Sequence, residues 1–531
     1  MIRLLAGVAA LSLCASAAQA EYRLHILHTN DFHSRIEPIN RFDSTCSDEE
    51  AAEEACFGGA ARLAAAIGAL RTELQSQGEN VLVLDAGDQF QGSLFYTTYK
   101  GAAEAEFMEK IGYDAMAVGN HEFDDGPQGL ASFLDKVTFP IISGNLDLSQ
   151  STELKGRIKP YVVLEVGGQK IGVVSALATD TVETSSPGPN VIFKSEGDSI
   201  GAAIDELTAQ GVNKIIALTH IGYEKDKQLA GTVDDLDAIV GGHSHTYLSA
   251  TDPERAGAYP TWINQRDGTL VPVVQAYSYG KYLGHLILTF DDDGKLVYAS
   301  GDTLALDSTV KPDQEVAARV AELAGPLAEI RSKVVAETSD AIDGSRDSCR
   351  QMECEMGNLV ADAMLDRVKG QGVTIAIQNG GGLRASIDGG TVTMGEVITV
   401  LPFQNTLSTF DSAGADIVAA LENGASDIEN GAGRFAQVAG LKYTVDPAKP
   451  SGSRISDVMV RDGDGWAPIA LDATYGVVSN NYVRGGGDGF DMFINAKNVY
   501  DFGPDLADVT AEFLTRNSPY EPLTDGRITR K

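Results

Sequence analysis

The sequence predicts two α/β domains joined by a helical connector, and three features carry that expectation. Between residues 24 and about 300, short apolar runs alternate with stretches of helical spacing, as a sheet flanked by helices requires. A polar helical pattern then follows Pro312. From 336 to 531 the chain turns Gly-rich between mixed strand and helix patterns, a second α/β unit. With 531 residues, 43% apolar and 22% charged, the chain is long enough for two cores and too apolar to be disordered.

Residues 1–20 join an early Arg3, a short apolar run and the small-x-small site Ala18, Gln19, Ala20. That is a secretory signal peptide whose removal leaves Glu21 first. A lipoprotein signal would use Cys14, but Leu13 is too large for the residue before a lipidated cysteine. The expected address is periplasmic or secreted, and extracellular in an organism without an outer membrane. No later stretch reaches the roughly 18 apolar residues of a membrane span, and the polar C-terminus carries no anchor signal. Cys46, Cys56, Cys349 and Cys354 remain, in two close pairs. In an oxidising compartment they predict the bridges Cys46–Cys56 and Cys349–Cys354. The competing zinc site built from all four has spacings that match no zinc ribbon.

The first domain is expected over 21–310, with strand runs at 24–27, 81–84, 141–142, 171–174, 215–218 and 239–240. Helical spacing covers 59–75 and 199–210, and a hairpin over 281–299 closes the domain. The linker helix is expected over 311–335 and the second domain over 336–531.

Polar residues of the first domain cluster directly after its strands. The first leads to Asp31 and His33, the next to Asp85 and Asp88, and residues 116–118 lead to Asn120, His121 and Asp124. The run at 215–218 leads to His220, and the one ending at Val240 to His243 and His245. Ligands of α/β sheets bind at the carboxyl ends of the strands, so these five loops should converge. Five of the eight histidines lie in them, while His25, His28 and His285 lie within strands and are expected to be structural. One such loop alone would be as well explained by a surface or capping residue; five in succession are not. Asp, His and Asn are oxygen and nitrogen donors suited to Zn²⁺, Mn²⁺ or Fe. Several ligands in several loops predict two divalent cations, with Asp88 as the carboxylate shared between them.

Charge agrees with this reading. Lys and Arg total 41 against 75 Asp and Glu, a formal charge of −34. Such a chain repels duplex nucleic acid and anionic membranes, and admits an anionic small substrate only where cations are concentrated. Two metals would supply that local field.

The ordered set Asp31-x-His33, Gly87-Asp88, Gly119-Asn120-His121-Glu122, His220 and Gly242-His243-x-His245 resembles the calcineurin-like metallophosphatases. Asp347 to Arg350, Met356 to Leu359, Asn379 to Arg384, Leu401 to Phe403 and Gly486 to Phe490 are similar to the second domain of the 5′-nucleotidase family. Residues 271–284 resemble its animal ecto-enzymes. Together these matches span nearly the whole chain after the signal segment. The resemblance implies an N-terminal four-layer α/β/β/α metallophosphatase domain, a connecting helix and a C-terminal α/β substrate-binding domain. It places one metal on Asp31, His33, Asp88 and His245 and a second on Asp88, Asn120, His220 and His243. The metals implied are Zn²⁺ or Mn²⁺ foremost, with Mg²⁺, Co²⁺ or Fe admitted. Some relatives carry an amide at the position of His245, which bears on metal preference and not on the site.

The same resemblance makes His121 and Asp124 a catalytic dyad beside the leaving oxygen, although spacing alone leaves either Asn120 or His121 as the ligand. In the second domain it implies that Phe403 and Tyr482 sandwich the base, with Asn379 hydrogen-bonding near it. Arg350 and Arg384 would bind the phosphate or ribose side, and Asp488 the ribose hydroxyls. Aromatic faces and guanidinium forks suit a base and a phosphate. Taken singly, Phe403 or Tyr482 would be read as core packing, and residues 379–382 as a tight turn.

The implied function is an exported hydrolase that converts nucleoside 5′-monophosphates to nucleoside and phosphate through metal-activated water. UDP-sugar or dinucleotide pyrophosphohydrolysis and 2′,3′-cyclic-nucleotide phosphodiesterase activity are alternatives that the same metals could serve. A non-catalytic nucleotide-binding protein is a third, although binding alone needs neither His121 nor Asp124. Monomer and homodimer stay open.

Overall fold

The apolar run at 24–27 lies within the strand Tyr22–Thr29, which pairs parallel with Asn80–Asp85 and antiparallel with Tyr282–Phe290. The computed structural model describes residues 21–531 apart from positions 42, 44, 404, 464 and 502 and the side chains at 183 and 184; the expected signal segment lies outside them. Six strands form the first sheet, in the order Leu296–Ala305, Tyr282–Phe290, Tyr22–Thr29, Asn80–Asp85, Ala115–Ala117, Ile141–Ile142. Six more form the second, in the order Thr261–Asn264, Leu270–Val274, Ala238–Gly241, Ile215–His220, Gln169–Leu177, Tyr161–Val166.

Side chains alternate across each strand, and both faces find apolar partners. Leu24, Ile26, Leu82 and Leu84 of the first sheet meet Ile171, Val173, Ile216 and Leu218 of the second. On its outer face the first sheet turns Leu27 and Val83 toward Leu63 and Ile67 of the helix Ala60–Ser76. The second turns Val174 and Ala176 toward Ile200, Ile204 and Leu207 of the helix Glu196–Ala209. The layers are therefore α/β/β/α. Burial on both faces is why these strands read as continuous apolar runs. Each buried Leu or Ile contributes about 1.5–3 kcal/mol, so the two-sheet interior is the rigid base from which the loops project.

The three histidines expected within strands do lie in them. His25 Nδ1 lies 2.9 Å from His285 Nε2, and His28 Nε2 lies 2.8 Å from the Tyr259 hydroxyl.

The connector differs from one helix over 311–335. It forms the helix Gln314–Ala324, a tight turn at Gly325–Leu327 and a short helix Ala328–Arg331, and the strand Val334–Thr338 follows. Pro326 explains the break, because it has no N–H to donate and its ring crowds the carbonyl four residues back. The first piece also belongs to the first domain's packing. Val316 and Val320 are buried in its outer core, and Arg319 makes a two-pronged ion pair with Glu106 at 2.8 and 3.0 Å.

In the second domain a five-stranded sheet runs in the order Ala436–Ala439, Val373–Asn379, Thr474–Asn480, Leu407–Ala413, Lys497–Tyr500. The helices Glu355–Arg367 and Leu506–Arg516 cover one face, and Gly414–Gly424 the other. The bridges Cys46–Cys56 and Cys349–Cys354 both form. Among the described residues, no helix is long and apolar enough to cross a membrane.

Candidate active site

The five strand-end loops of the first domain do converge, and their backbone is unusual. Asp31 (φ 52°), His33 (50°), Asp88 (59°), His243 (75°) and His245 (53°) all take the left-handed conformation that residues with a side chain rarely adopt. Such geometry persists only where the surroundings enforce it. Here the loops brace one another. Asp31 N–H donates to the Gly87 carbonyl at 2.9 Å and His33 N–H to that of Asp88 at 3.0 Å. The buried Glu122 carboxylate accepts from the N–H groups of Gly119, Asp88 and Gln89 at 2.6, 3.0 and 2.8 Å. A Cβ on Gly119 would lie 2.3 Å from Asp88 Oδ1, so only glycine lets the third loop approach this closely.

The seven expected metal ligands form one cluster. His33 Nε2 and His245 Nε2 face each other at 3.0 Å, and His245 Nε2 lies 3.3 Å from Asp31 Oδ1. His220 Nε2 lies 3.1 Å from Asp88 Oδ2 and 3.2 Å from Asn120 Oδ1, which also lies 2.8 Å from His243 Nδ1. Asp88 sits between the two groups, 3.8 Å from His33 Nε2. The far nitrogens are committed elsewhere. His33 Nδ1 faces the Phe90 carbonyl at 3.1 Å, and His220 Nδ1 that of Ala86 at 2.7 Å. Each therefore carries a proton on Nδ1 and turns its Nε2 inward, as metal-ligating histidines do. This buried set of inward-facing oxygen and nitrogen donors fits divalent cations. Three subsets have the spacing to hold one: Asp31 with His33 and His245, Asp88 with His220 and His243, and His33 with Asp88 and His121.

Electrostatics mark Asp88 as the pivot. Burial alone would raise its carboxyl, but the surrounding His220, His121 and His33 outweigh that and hold it well below the usual carboxylate range. Asp31 goes the other way. Burial, reinforced by the Asp88 charge, lifts it to about 6 against the pull of His220.

His121 Nδ1 lies 2.6 Å from Asp124 Oδ2, so the two side chains expected to act together are in hydrogen-bond contact. Burial lowers the imidazole, yet Asp124 and Asp88 prevail and raise it above its ordinary value. With Nδ1 engaged, Nε2 is the nitrogen left for chemistry.

Every expected site residue of the second domain lines the same cleft as His121 and Asp88, about 1250 Å³ in volume. Asn379 Nδ2 donates to Asp488 Oδ2 at 2.7 Å, and the Tyr482 hydroxyl to Asp488 Oδ1 at 3.2 Å. The Tyr482 ring lies so close over Gly487 that a Cβ there would sit 2.4 Å from it. Phe403 stacks on His121, with centroids 5.7 Å apart, and Arg384 lies over Phe403 at 5.5 Å.

The cleft also holds groups that sequence reasoning passed over. Arg346 sits one helical turn before Arg350 and lines the cleft with it; that i, i+4 pairing of arginines was the available signal. Burial, then the charge of Arg384, depresses the Arg346 guanidinium, and burial, then the charges of Arg346 and Arg384, depresses that of Arg350. Three cations this close call for an anion between them. Asp180, Ser185 and Arg434 line the cleft as well and sit in loops without any pattern.

The family model for calcineurin-like phosphoesterases matches residues 24–247, and that for the 5′-nucleotidase C-terminal domain matches residues 334–495. The chain is similar to a 5′-nucleotidase of Diplobatis ommata, 38% identical over 97% of this chain and 92% of that protein. It is 36% identical to a human 5′-nucleotidase over 96% of this chain and 91% of that protein. The solved structure of a 5′-nucleotidase precursor from Thermus thermophilus is 40% identical, with a TM-score of 0.91, covering 96% of this chain and 99% of that one.

Proposed function

The chain belongs to the 5′-nucleotidase family, and from that premise we propose that it hydrolyses nucleoside 5′-monophosphates to nucleoside and phosphate. Asp31, His33, Asp88 and His245 would hold one divalent cation, and Asp88, Asn120, His220 and His243 a second. Zn²⁺ or Mn²⁺ suits this donor set best. Bound there, the cations supply an activated water and neutralise charge on the phosphoryl oxygens.

The chain's own side chains do the rest. Arg346, Arg350 and Arg384 grip the phosphate. Phe403 and Tyr482 take the faces of the base, Asn379 its edge, and Asp488 the ribose hydroxyls. His121 presents Nε2 to the departing 5′-oxygen and gives it a proton, while Asp124 holds the Nδ1–H and with it the ring's orientation. The observation that carries this reading is the shared cleft: three arginines and a polar, aromatic pocket of one domain open onto the Asp/His/Asn cluster of the other. The expected signal segment and the two disulfides support an exported protein.

Phosphate release from AMP, UMP, ADP, UDP-glucose and 2′,3′-cyclic AMP tests the assignment. Monophosphates should show the highest kcat/KM. A higher value for UDP-glucose or the cyclic nucleotide would replace it with one of the alternative activities. Release from none would leave a binding protein.

A further inference from the structure

The His121–Asp124 pair is continued by a third side chain. Ser185 Oγ donates to Asp124 Oδ1 at 2.6 Å, while Asp124 Oδ2 faces His121 Nδ1 at the same distance. Both carboxylate oxygens are therefore engaged, from opposite sides and by separate loops. His121 and Asp124 follow the strand Ala115–Ala117, whereas Ser185 ends the short helix Thr181–Thr184 beyond the strand Gln169–Leu177. Ser185 itself is held. Its N–H bonds to the Thr181 carbonyl at 3.0 Å, and Thr181 Oγ1 ties the start of that helix to the Ala178 carbonyl at 2.7 Å. The helix also packs against the turn Gly487–Gly489, which carries Asp488.

A carboxylate gripped at one oxygen can still turn about its last torsion, which is broad. A second short, charge-assisted bond at the other oxygen fixes the carboxylate plane, and with it the imidazole that the carboxylate orients. From this geometry we propose that Ser185 is a positioning residue of the reaction: it locks Asp124, and through Asp124 the angle at which His121 Nε2 meets the leaving oxygen. The inference rests on the assignment of His121 and Asp124 as the dyad.

The role predicts a dependence on the leaving group. The 5′-oxygen of a nucleoside is a poor leaving group that needs a proton, whereas p-nitrophenolate departs without one. The test compares Ser185→Ala, Ser185→Thr and His121→Ala in the metal-loaded protein, on AMP and on p-nitrophenyl phosphate. Unfolding midpoint and metal content are recorded for each. Ser185→Ala should lower kcat for AMP about 10-fold with KM within about twofold, and change kcat for the aryl ester by less than about twofold. Ser185→Thr keeps the hydroxyl and should stay within about threefold of the parent on AMP. An unchanged kcat for AMP, equal losses on both substrates, or a loss in KM alone would overturn the role. His121→Ala separates this proposal from the reading beneath it. If His121→Ala spares the aryl ester and Ser185→Ala does not alter AMP turnover, only Ser185 is misassigned. If His121→Ala affects both esters alike, the dyad falls, and Ser185 with it.

Discussion

Arg384 Nη2, in the second domain, lies 3.2 Å from Nε2 of His33, a first-domain residue 351 positions earlier in the chain. The two domains therefore meet at the chemistry, and other contacts hold the same face shut. Asn40 Nδ2 donates to Asp388 Oδ2 at 2.7 Å, and Arg331 pairs with Glu37 at 2.7 Å. Phe403 stacks on His121 in this same arrangement. Residues assigned to the base and to the leaving oxygen are thus neighbours, as hydrolysis of a nucleoside monophosphate requires.

His121→Ala should lower kcat by about 100-fold or more while metal stays bound, as for a lost proton donor. The measurement is kcat for AMP alongside metal content per chain. His121 also has the spacing to join His33 and Asp88 around an ion. If metal content falls in step with activity, His121 is a ligand and the dyad assignment is wrong.

Phe403→Ala and Tyr482→Ala should each lower kcat/KM for AMP about tenfold or more, since stacking on a base is worth about 1–3 kcal/mol. A phosphate ester without a base, such as p-nitrophenyl phosphate, should barely respond. Equal losses on both substrates would show that these rings support the fold.

Asp388→Asn should stabilise the protein at neutral pH and not in acid. Burial, then the charges of Glu50 and Glu396, raise the Asp388 carboxyl to about 6 against the opposing Arg41. A carboxyl raised on folding is best tolerated protonated. Its cost therefore appears as pH climbs from the unfolded value near 4 through about 6, and persists above. Asparagine removes the charge and keeps an oxygen for Asn40. Because the group is partly solvated, the gain at pH 7.5 is about 1 kcal/mol, or about 2 °C in Tm. Melting curves at pH 4.5 and 7.5 decide it; equal shifts at both would contradict the titration.

The Asp/His/Asn cluster was legible in the sequence because its parts sit at fixed places. Asp31, Asp88, Asn120 and His243 each follow, and His220 ends, a strand whose apolar run is itself readable, so strand ends and donor types coincide. The connector was partly legible: Pro326 lay in view, but the helical pattern on either side masked the break. Ser185 was not legible at all. A serine in a loop carries no periodicity, and only tertiary packing brings it to Asp124. Arg346 lay in between, since its spacing to Arg350 was visible, but its approach to Arg384 comes from the packing of the second domain and its approach to Asp31 from the meeting of the two domains.

The proposed two-metal centre is tested most directly by titrating metal back into exhaustively chelated protein while following metal bound per chain and phosphate released from AMP, for the parent and for Asp88→Asn. Asp88 is the one ligand assigned to both cations, so its loss should be the most damaging of the seven. Activity of the parent should vanish on chelation and return as binding approaches two ions per chain, and Asp88→Asn should recover neither full binding nor turnover. Full activity in the metal-free parent, or full activity in Asp88→Asn, would contradict the assignment.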